Sequence, residues 1–201
     1  MPTGVIHFED SRKATELFRD KHLQHRLVQL GKDAEIEFIS YLEDEKLHVM
    51  RSVQVVAARA FGWIGQHDIQ KLVLITDLDA RGGETLDVEY GFRVLHTLAT
   101  TMSEDQHVRP YVAAVEDMFD HRDVLVALLT LAPHCRIEEA LNFVFGRQLT
   151  GVRWVTRDKG AQLPESIGQS IAEIGEGGPK IIRANRSEDE AWLAAVLAEW
   201  I

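Results

Sequence analysis

The sequence predicts an α/β protein: a doubly wound three-layer sandwich around a parallel sheet of five strands, or six with one short addition. Three observations lead there. Short apolar runs alternate with stretches of helical periodicity along the chain, the pattern of a parallel sheet covered by helices on both faces. Two of the runs, residues 4–8 and 72–76, are apolar almost throughout, as strands buried on both faces are. Each of these two runs ends in acids, Glu9-Asp10 and Asp77-Leu78-Asp79. Open α/β sheets bind ligands beyond the carboxyl ends of their strands, so these acids mark the candidate site.

Residues 4–8 form the first strand. Ser11 caps a helix whose face carries Ala14, Leu17 and Phe18; it runs into the high twenties and stops near Gly31. Residues 35–40 alternate and form the second strand. A helical pattern covers 51–65, and residues 71–76 form the third strand. Gly82-Gly83 marks a loop, and a helix follows over 88–101. Residues 108–115 read as the fourth strand, and 120–132 and 136–148 as two helices parted by Pro133. Residues 151–156 read as a fifth strand. Pro164 opens a helix over 163–174, which ends in the glycine-rich stretch 175–178. Residues 180–183 form the short sixth strand. Ser187 with Glu190 matches a capping box for a last amphipathic helix, with Trp192, Leu193, Val196, Leu197 and Trp200 on its apolar face. The division expected is one α/β domain over 1–184, with an inserted loop at 80–90 and an extra helix at 136–148, and a C-terminal helix over 185–201. That helix reads as docking on its own domain, with a homodimer or partner surface as the sharper alternative.

The chain has 201 residues, 45% hydrophobic and 27% charged, which suits one domain with extensions. No apolar stretch approaches the ~20 residues of a membrane span. The start of the chain lacks the basic-then-apolar pattern of a signal peptide. Its one cysteine, Cys135, suits a reducing compartment, so a cytoplasmic location is expected. A net charge of −10 disfavours direct nucleic-acid binding through a broad basic face.

If the first and third strands are neighbours, their acids converge. Carboxylates held close repel one another and need a cation between them. Mg²⁺ is the simplest candidate, because it takes one or two carboxylates and completes its shell with water or phosphate oxygens. Each cluster also has an ordinary reading. Glu9 and Asp10 suit a helix start, and Asp77 suits a turn at a strand end. The coincidence of the two clusters favours a site. Gly82-Gly83 lacks the lysine of a phosphate-binding loop. His22 and His25 lack the partners of a zinc site, and Cys135 lacks a catalytic setting.

In order along the chain, these pieces resemble an atypical response-regulator receiver domain, closest to the receivers of LuxR-type regulators. Phe8-Glu9-Asp10-Ser11 is similar to the acidic pair that closes the receiver's first strand, and Leu74-Ile75-Thr76-Asp77-Leu78 to the third strand with its phospho-accepting aspartate. The segment from Gly91 to Leu98 resembles the glycine and helix that follow. Residues 109–115 resemble the receiver's fourth strand, 151–159 its fifth, and 163–178 its closing helix. The resemblance implies a flavodoxin-like fold and a Mg²⁺ site formed by Glu9, Asp10, Asp77 and the backbone carbonyl of Asp79. It further implies phosphate acceptance on Asp77 from a histidine kinase or other signalling protein, with output through protein contacts. Arg157 or Lys159 would meet the phosphate.

Three departures make the match atypical. Val115 and Glu116 stand where a receiver's switch Ser or Thr is expected, and an acid there would repel phosphate. Arg157 aligns with the receiver's lysine, while Lys159 falls two residues late, and the two residue types are not interchangeable. The loop after Asp77 is long. A phosphorylation-independent pseudo-receiver is therefore one alternative. A second is a Toprim-like Mg²⁺-dependent nuclease or DNA-processing domain, because Asp77-Leu78-Asp79-Ala80-Arg81-Gly82 matches D-x-D-x-x-G and Glu9 precedes it on an earlier strand. There Glu9 would serve in acid–base chemistry, and Asp77 and Asp79 would hold the metal.

Overall fold

The computed structural model describes residues 2–40, 49–82, 85–87, 89–104, 112, 114–115, 117–149 and 151–201. The first strand, β1 (Thr3–Glu9), is buried along its whole length. Ser11 caps α1 (Arg12–Phe18) by accepting a hydrogen bond from the amide of Ala14 at 3.3 Å. A π-helical turn, Arg19–Leu23, carries α1 into α2 (Gln24–Leu30). Gly31 ends α2 in the left-handed region at φ 65°, the usual place for glycine after a helix. Then come β2 (Glu35–Ser40), α3 (Val49–Gln66) and β3 (Lys71–Thr76). A small antiparallel pair, β4 (Ala80–Gly82) and β5 (Thr85–Asp87), fills the inserted loop. After it lie α4 (Tyr90–Glu104), a single turn α5 (Asp117–Asp120), and β6 (Val124–Thr130). The chain ends with α6 (His134–Phe145), β7 (Arg153–Thr156), α7 (Leu163–Gly175), β8 (Lys180–Asn185) and α8 (Glu190–Trp200).

Six parallel strands form one sheet in the order β2-β1-β3-β6-β8-β7. Its two faces carry separate apolar clusters. On one face Ile6, Phe8, Leu72, Leu74, Val126 and Leu128 meet α3, α4 and α6. On the other face Val5, Val73, Ile75, Ala127, Leu129 and Ile182 meet the α1–α2 helix, α7 and α8. The alternation of side chains along each strand produces this division. The fold is thus doubly wound and flavodoxin-like, with the sheet at six strands.

Several expectations are corrected. Residues 124–130 form a central strand rather than part of a helix over 120–132. Every residue from Val124 to Thr130 is buried, so the run shows no alternation to set strand apart from helix. Within the expected fourth strand, Val112, Ala114 and Val115 are not in strand; the rest of 108–115 lies outside the described residues. The last strand is longer than the expected 180–183 and lies between β6 and β7. Ser187 does not cap α8. Asp189 holds the N-cap position, and the Ser187 hydroxyl bonds Asn185 Oδ1 at 3.2 Å.

The last helix is not one-sided. Trp192 through Ala198 are all buried, which makes α8 an interior helix of this same fold rather than an amphipathic one. Its carboxyl end is held by lysines. Lys32 Nζ donates to the carbonyls of Ala198 and Glu199 at 3.0 and 2.7 Å, and Lys71 donates to Trp200 and lies over its ring at 4.1 Å. Cations suit a helix carboxyl end. Among the described residues no helix is long and apolar enough to cross a membrane.

Candidate functional site

The site follows from the strand order. The connection from β1 leads outward to β2, whereas the connection from β3 leads the other way to β6. Such a switch point opens a crevice at the carboxyl edge of the sheet. Phe8 pairs with Thr76 across β1 and β3, which brings the next residues, Glu9 and Asp77, side by side at that edge. The sequence-based expectation that the two acidic clusters meet is therefore met. A cleft of about 280 Å³ lies over them, lined by Glu9, Asp10, Asp77, Asp79, Arg136 and Arg186 among others.

The sequence reading missed Arg186. The chain leaves β8 beside β6, where the Arg186 amide donates to the carbonyl of Thr130 at 3.2 Å. Its side chain then crosses the strand ends. One nitrogen, Nη2, donates to Glu9 Oε2, to Asp77 Oδ2 at 3.1 Å and to the Leu129 carbonyl at 3.3 Å. Asp77 Oδ1 accepts from the amide of Leu78 at 2.7 Å. Asp79 turns the other way, toward Arg136 on the first turn of α6, with Nη2 to Oδ1 at 3.4 Å.

Glu9 is 1% exposed. Burial pushes its carboxyl up to about 8; a hydrogen bond with the Asp10 side chain pushes the same way, and Arg186 opposes both. Burial thus favours the protonated form of Glu9, while the Arg186 guanidinium lies between the Glu9 and Asp77 carboxyls. Arg186's own burial works against its charge, but Glu9 and Asp77 outweigh this and hold its pKa above the ordinary arginine value. His7 lies on the same face as Glu9, one pleat back. Its ring meets Phe18 edge-on at 5.7 Å, and burial, with Arg186 adding to it, lowers the imidazole to about 3. It is a neutral core histidine whose Nε2 has no hydrogen-bond partner among the described residues and sits 3.9 Å from Glu9 Oε2.

The side chains present do not fit a divalent ion as they stand. The Arg186 guanidinium occupies the position between Glu9 and Asp77, and the Asp79 side chain, which the Toprim-like reading would use, is engaged with Arg136. Among the described residues no group of three or more His, Cys, Asp or Glu side chains is placed to share a metal.

The residues expected to meet phosphate lie elsewhere. Lys159 Nζ contacts Asp189 Oδ1 at 2.6 Å and Glu188 Oε2 at 3.1 Å, and Arg157 Nη1 lies 3.5 Å from Asp189 Oδ1. Both belong to the loop after β7, the edge strand, with β8 between them and the site. Val115 is likewise no switch position, because it ends no strand; Glu116 lies outside the described residues. The strand that neighbours β3 is β6, and it ends in Thr130, whose hydroxyl accepts from the amide of Ala132 at 3.1 Å. The rule that picked out Glu9 and Asp77, an apolar run ending in a polar residue, also picks out Thr130 once 124–130 is read as a strand.

Fold and site together define a doubly wound α/β protein with an ionic cluster at its switch point. Comparison with family models, with curated proteins and with solved structures returned no match.

Proposed function

We propose that this chain is a receiver-like signalling module of the phosphorylation-independent kind, working through protein contacts, with its acidic pocket closed by an internal arginine. One observation carries the reading: Arg186 Nη2 bonds Glu9 and Asp77 together. The order of groups along the sheet edge supports it. Strands β1, β3, β6 and β8 lie side by side and lead, in turn, to an acid, an acid, a hydroxyl and a cation: Glu9, Asp77, Thr130 and Arg186. That order resembles a receiver's, with Thr130 and Arg186 in the roles first sought at residues 115 and 157–159. Phosphoryl transfer onto a carboxylate needs the attacking oxygen free and the developing charge neutralised. Here Asp77 Oδ2 is engaged by the guanidinium and Oδ1 by a backbone amide. The cluster suits a fixed ionic latch better than a phosphate acceptor.

The test is incubation with Mg²⁺ and acetyl phosphate, followed by intact mass, with supercoiled plasmid present in a parallel sample. The expected result is unchanged mass and intact plasmid. A phosphoryl adduct lost in Asp77→Asn would make the chain an ordinary receiver. Nicking lost in Glu9→Gln would make it a Toprim-like nuclease.

A further inference from the structure

We propose that Arg186 is a resident cation filling a latent divalent-metal site, so that removing its guanidinium converts this chain into a Mg²⁺- or Mn²⁺-binding protein. The inference rests on the latched reading of the pocket and adds what the latch replaces.

The donor set suits a hard cation. Three oxygens, Glu9 Oε2, Asp77 Oδ2 and the Leu129 carbonyl, converge on the single nitrogen Nη2. They come from the ends of three adjacent parallel strands, β1, β3 and β6. An all-oxygen set with two carboxylates is the donor type that hard divalent cations take. Sheet geometry brings the set together, since the register of β1 on β3 and of β3 on β6 is fixed by strands buried along almost their whole length. Removing the guanidinium would therefore leave the oxygens close to their present positions.

His7 provides a separate observation. It is buried, its Nε2 has no hydrogen-bond partner among the described residues, and that atom lies 3.9 Å from Glu9 Oε2. A buried polar atom without a partner is unusual in a folded protein. It faces the same oxygen that the guanidinium occupies.

The turn that carries Arg186 explains why the native chain excludes the metal. Arg186 lies on a turn that is fastened from behind. Asp189 accepts from the Asn185 amide at 3.0 Å, and Asn185 Oδ1 accepts from the Ser187 amide and hydroxyl at 3.3 and 3.2 Å. Lys159 and Arg157 in turn hold Asp189. The guanidinium is thus presented at fixed geometry and high local concentration, and a free cation must compete with it.

The experiment is a Mn²⁺ titration followed by water-proton relaxation, paired with melting temperature in MgCl₂, on the full chain. Wild type is expected to show no saturable site and no Mg²⁺-dependent shift. Arg186→Ala and Arg186→Met should each acquire one saturable Mn²⁺ site and a raised melting temperature in Mg²⁺, both lost when Asp77→Asn is added. If either variant folds only when Mn²⁺ or Mg²⁺ is supplied, that supports the proposal equally. Saturable Mn²⁺ binding by wild type that depends on Asp77 would overturn it. So would variants that bind no Mn²⁺, whether they fold without it or stay unfolded in its presence. Failure here leaves the latched reading standing, because that reading falls only to a phosphoryl adduct or to nicking by the wild type.

Discussion

Replacing Gly91 with alanine pits two effects of opposite sign against each other at one position. Gly91 lies in the first turn of α4, and its amide donates to the Leu78 carbonyl at 3.2 Å. Helix propensity alone would favour alanine over glycine by about 1 kcal/mol. Packing says otherwise. A Cβ at this position would lie 1.9 Å from the Asp77 carbonyl oxygen and 2.6 Å from Thr76 Oγ1. Carbon and carbonyl oxygen ordinarily approach no closer than ~3.3 Å, so the overlap exceeds an ångström. The obstacle is backbone at the end of a central strand, which cannot swing aside as a side chain could. Overpacking costs roughly 1–3 kcal/mol and sometimes more; an overlap this large against backbone belongs at or above the upper end, so after the helix gain of about 1 kcal/mol the net effect of Gly91→Ala is expected to be a loss of about 2 kcal/mol or more. Gly62 in α3 and Gly168 in α7 are internal controls, since a Cβ at either meets nothing within 4 Å. Gly62→Ala and Gly168→Ala should each stabilise by up to ~1 kcal/mol. Urea unfolding followed by circular dichroism measures all three. Equal stability of Gly91→Ala and wild type would refute the close approach of α4 to Asp77, and with it the crevice geometry.

The latch yields a contrast between its members. Arg186→Met should cost about 3 kcal/mol in urea unfolding at pH 7, because it removes the one guanidinium that bridges the Glu9 and Asp77 carboxyls. Glu9→Gln should cost under ~1 kcal/mol at the same pH, because glutamine resembles the protonated form that burial favours; a loss as large as that of Arg186→Met would mean that Glu9 is ionised. The pH dependence follows from the same carboxyl. The folded chain keeps the Glu9 proton up to about 8, while the unfolded chain releases it near 4.5. Between these values the folded state binds more protons, so stability is fullest below the lower value and falls as pH rises through the higher one. Below 6.5 buried His7 works against this, because its lowered pKa makes stability rise with pH there; the net decline is therefore expected between 6.5 and about 8, at roughly 2 kcal/mol, and Glu9→Gln should abolish it, whereas a wild-type profile that rises over that interval would contradict the assignment.

Much of this was legible from residues alone, and what was not has identifiable causes. Strands β1 and β3 were readable because each apolar run ends abruptly in acids. The start of α1 was readable because Ser11 is a strong capping residue. Strand β6 was not, because Val-Leu-Val-Ala-Leu-Leu is buried on both faces and so carries neither a period of two nor one of 3.6. That single misreading displaced the rest of the site. A fourth strand at 108–115 would put the hydroxyl position at Val115 and the cation position on the loop after β7.

Arg186 poses a different problem. It bonds partners 177 and 109 residues away in the chain, and it sits in a polar turn, Asn-Arg-Ser-Glu-Asp, that looks like any surface loop. No local pattern distinguishes an arginine that folds back over a sheet from one that faces water. A stoichiometric argument could have found it. Two acidic clusters brought to one sheet edge require a cation, and the strand order allows that cation to come from the turn after any strand that lies near them. Protonation of the buried Glu9 carboxyl lessens the requirement; of the two cations that can meet it, Mg²⁺ comes from solution and a strand-end arginine does not. The two solutions separate experimentally because only the second depends on the integrity of the turn. Weakening the Lys159–Asp189 clamp, which touches neither carboxylate, should loosen Arg186. Lys159→Gln should then admit weak Mn²⁺ binding where wild type shows none, and Lys159→Arg, which keeps the ion pair, should restore exclusion.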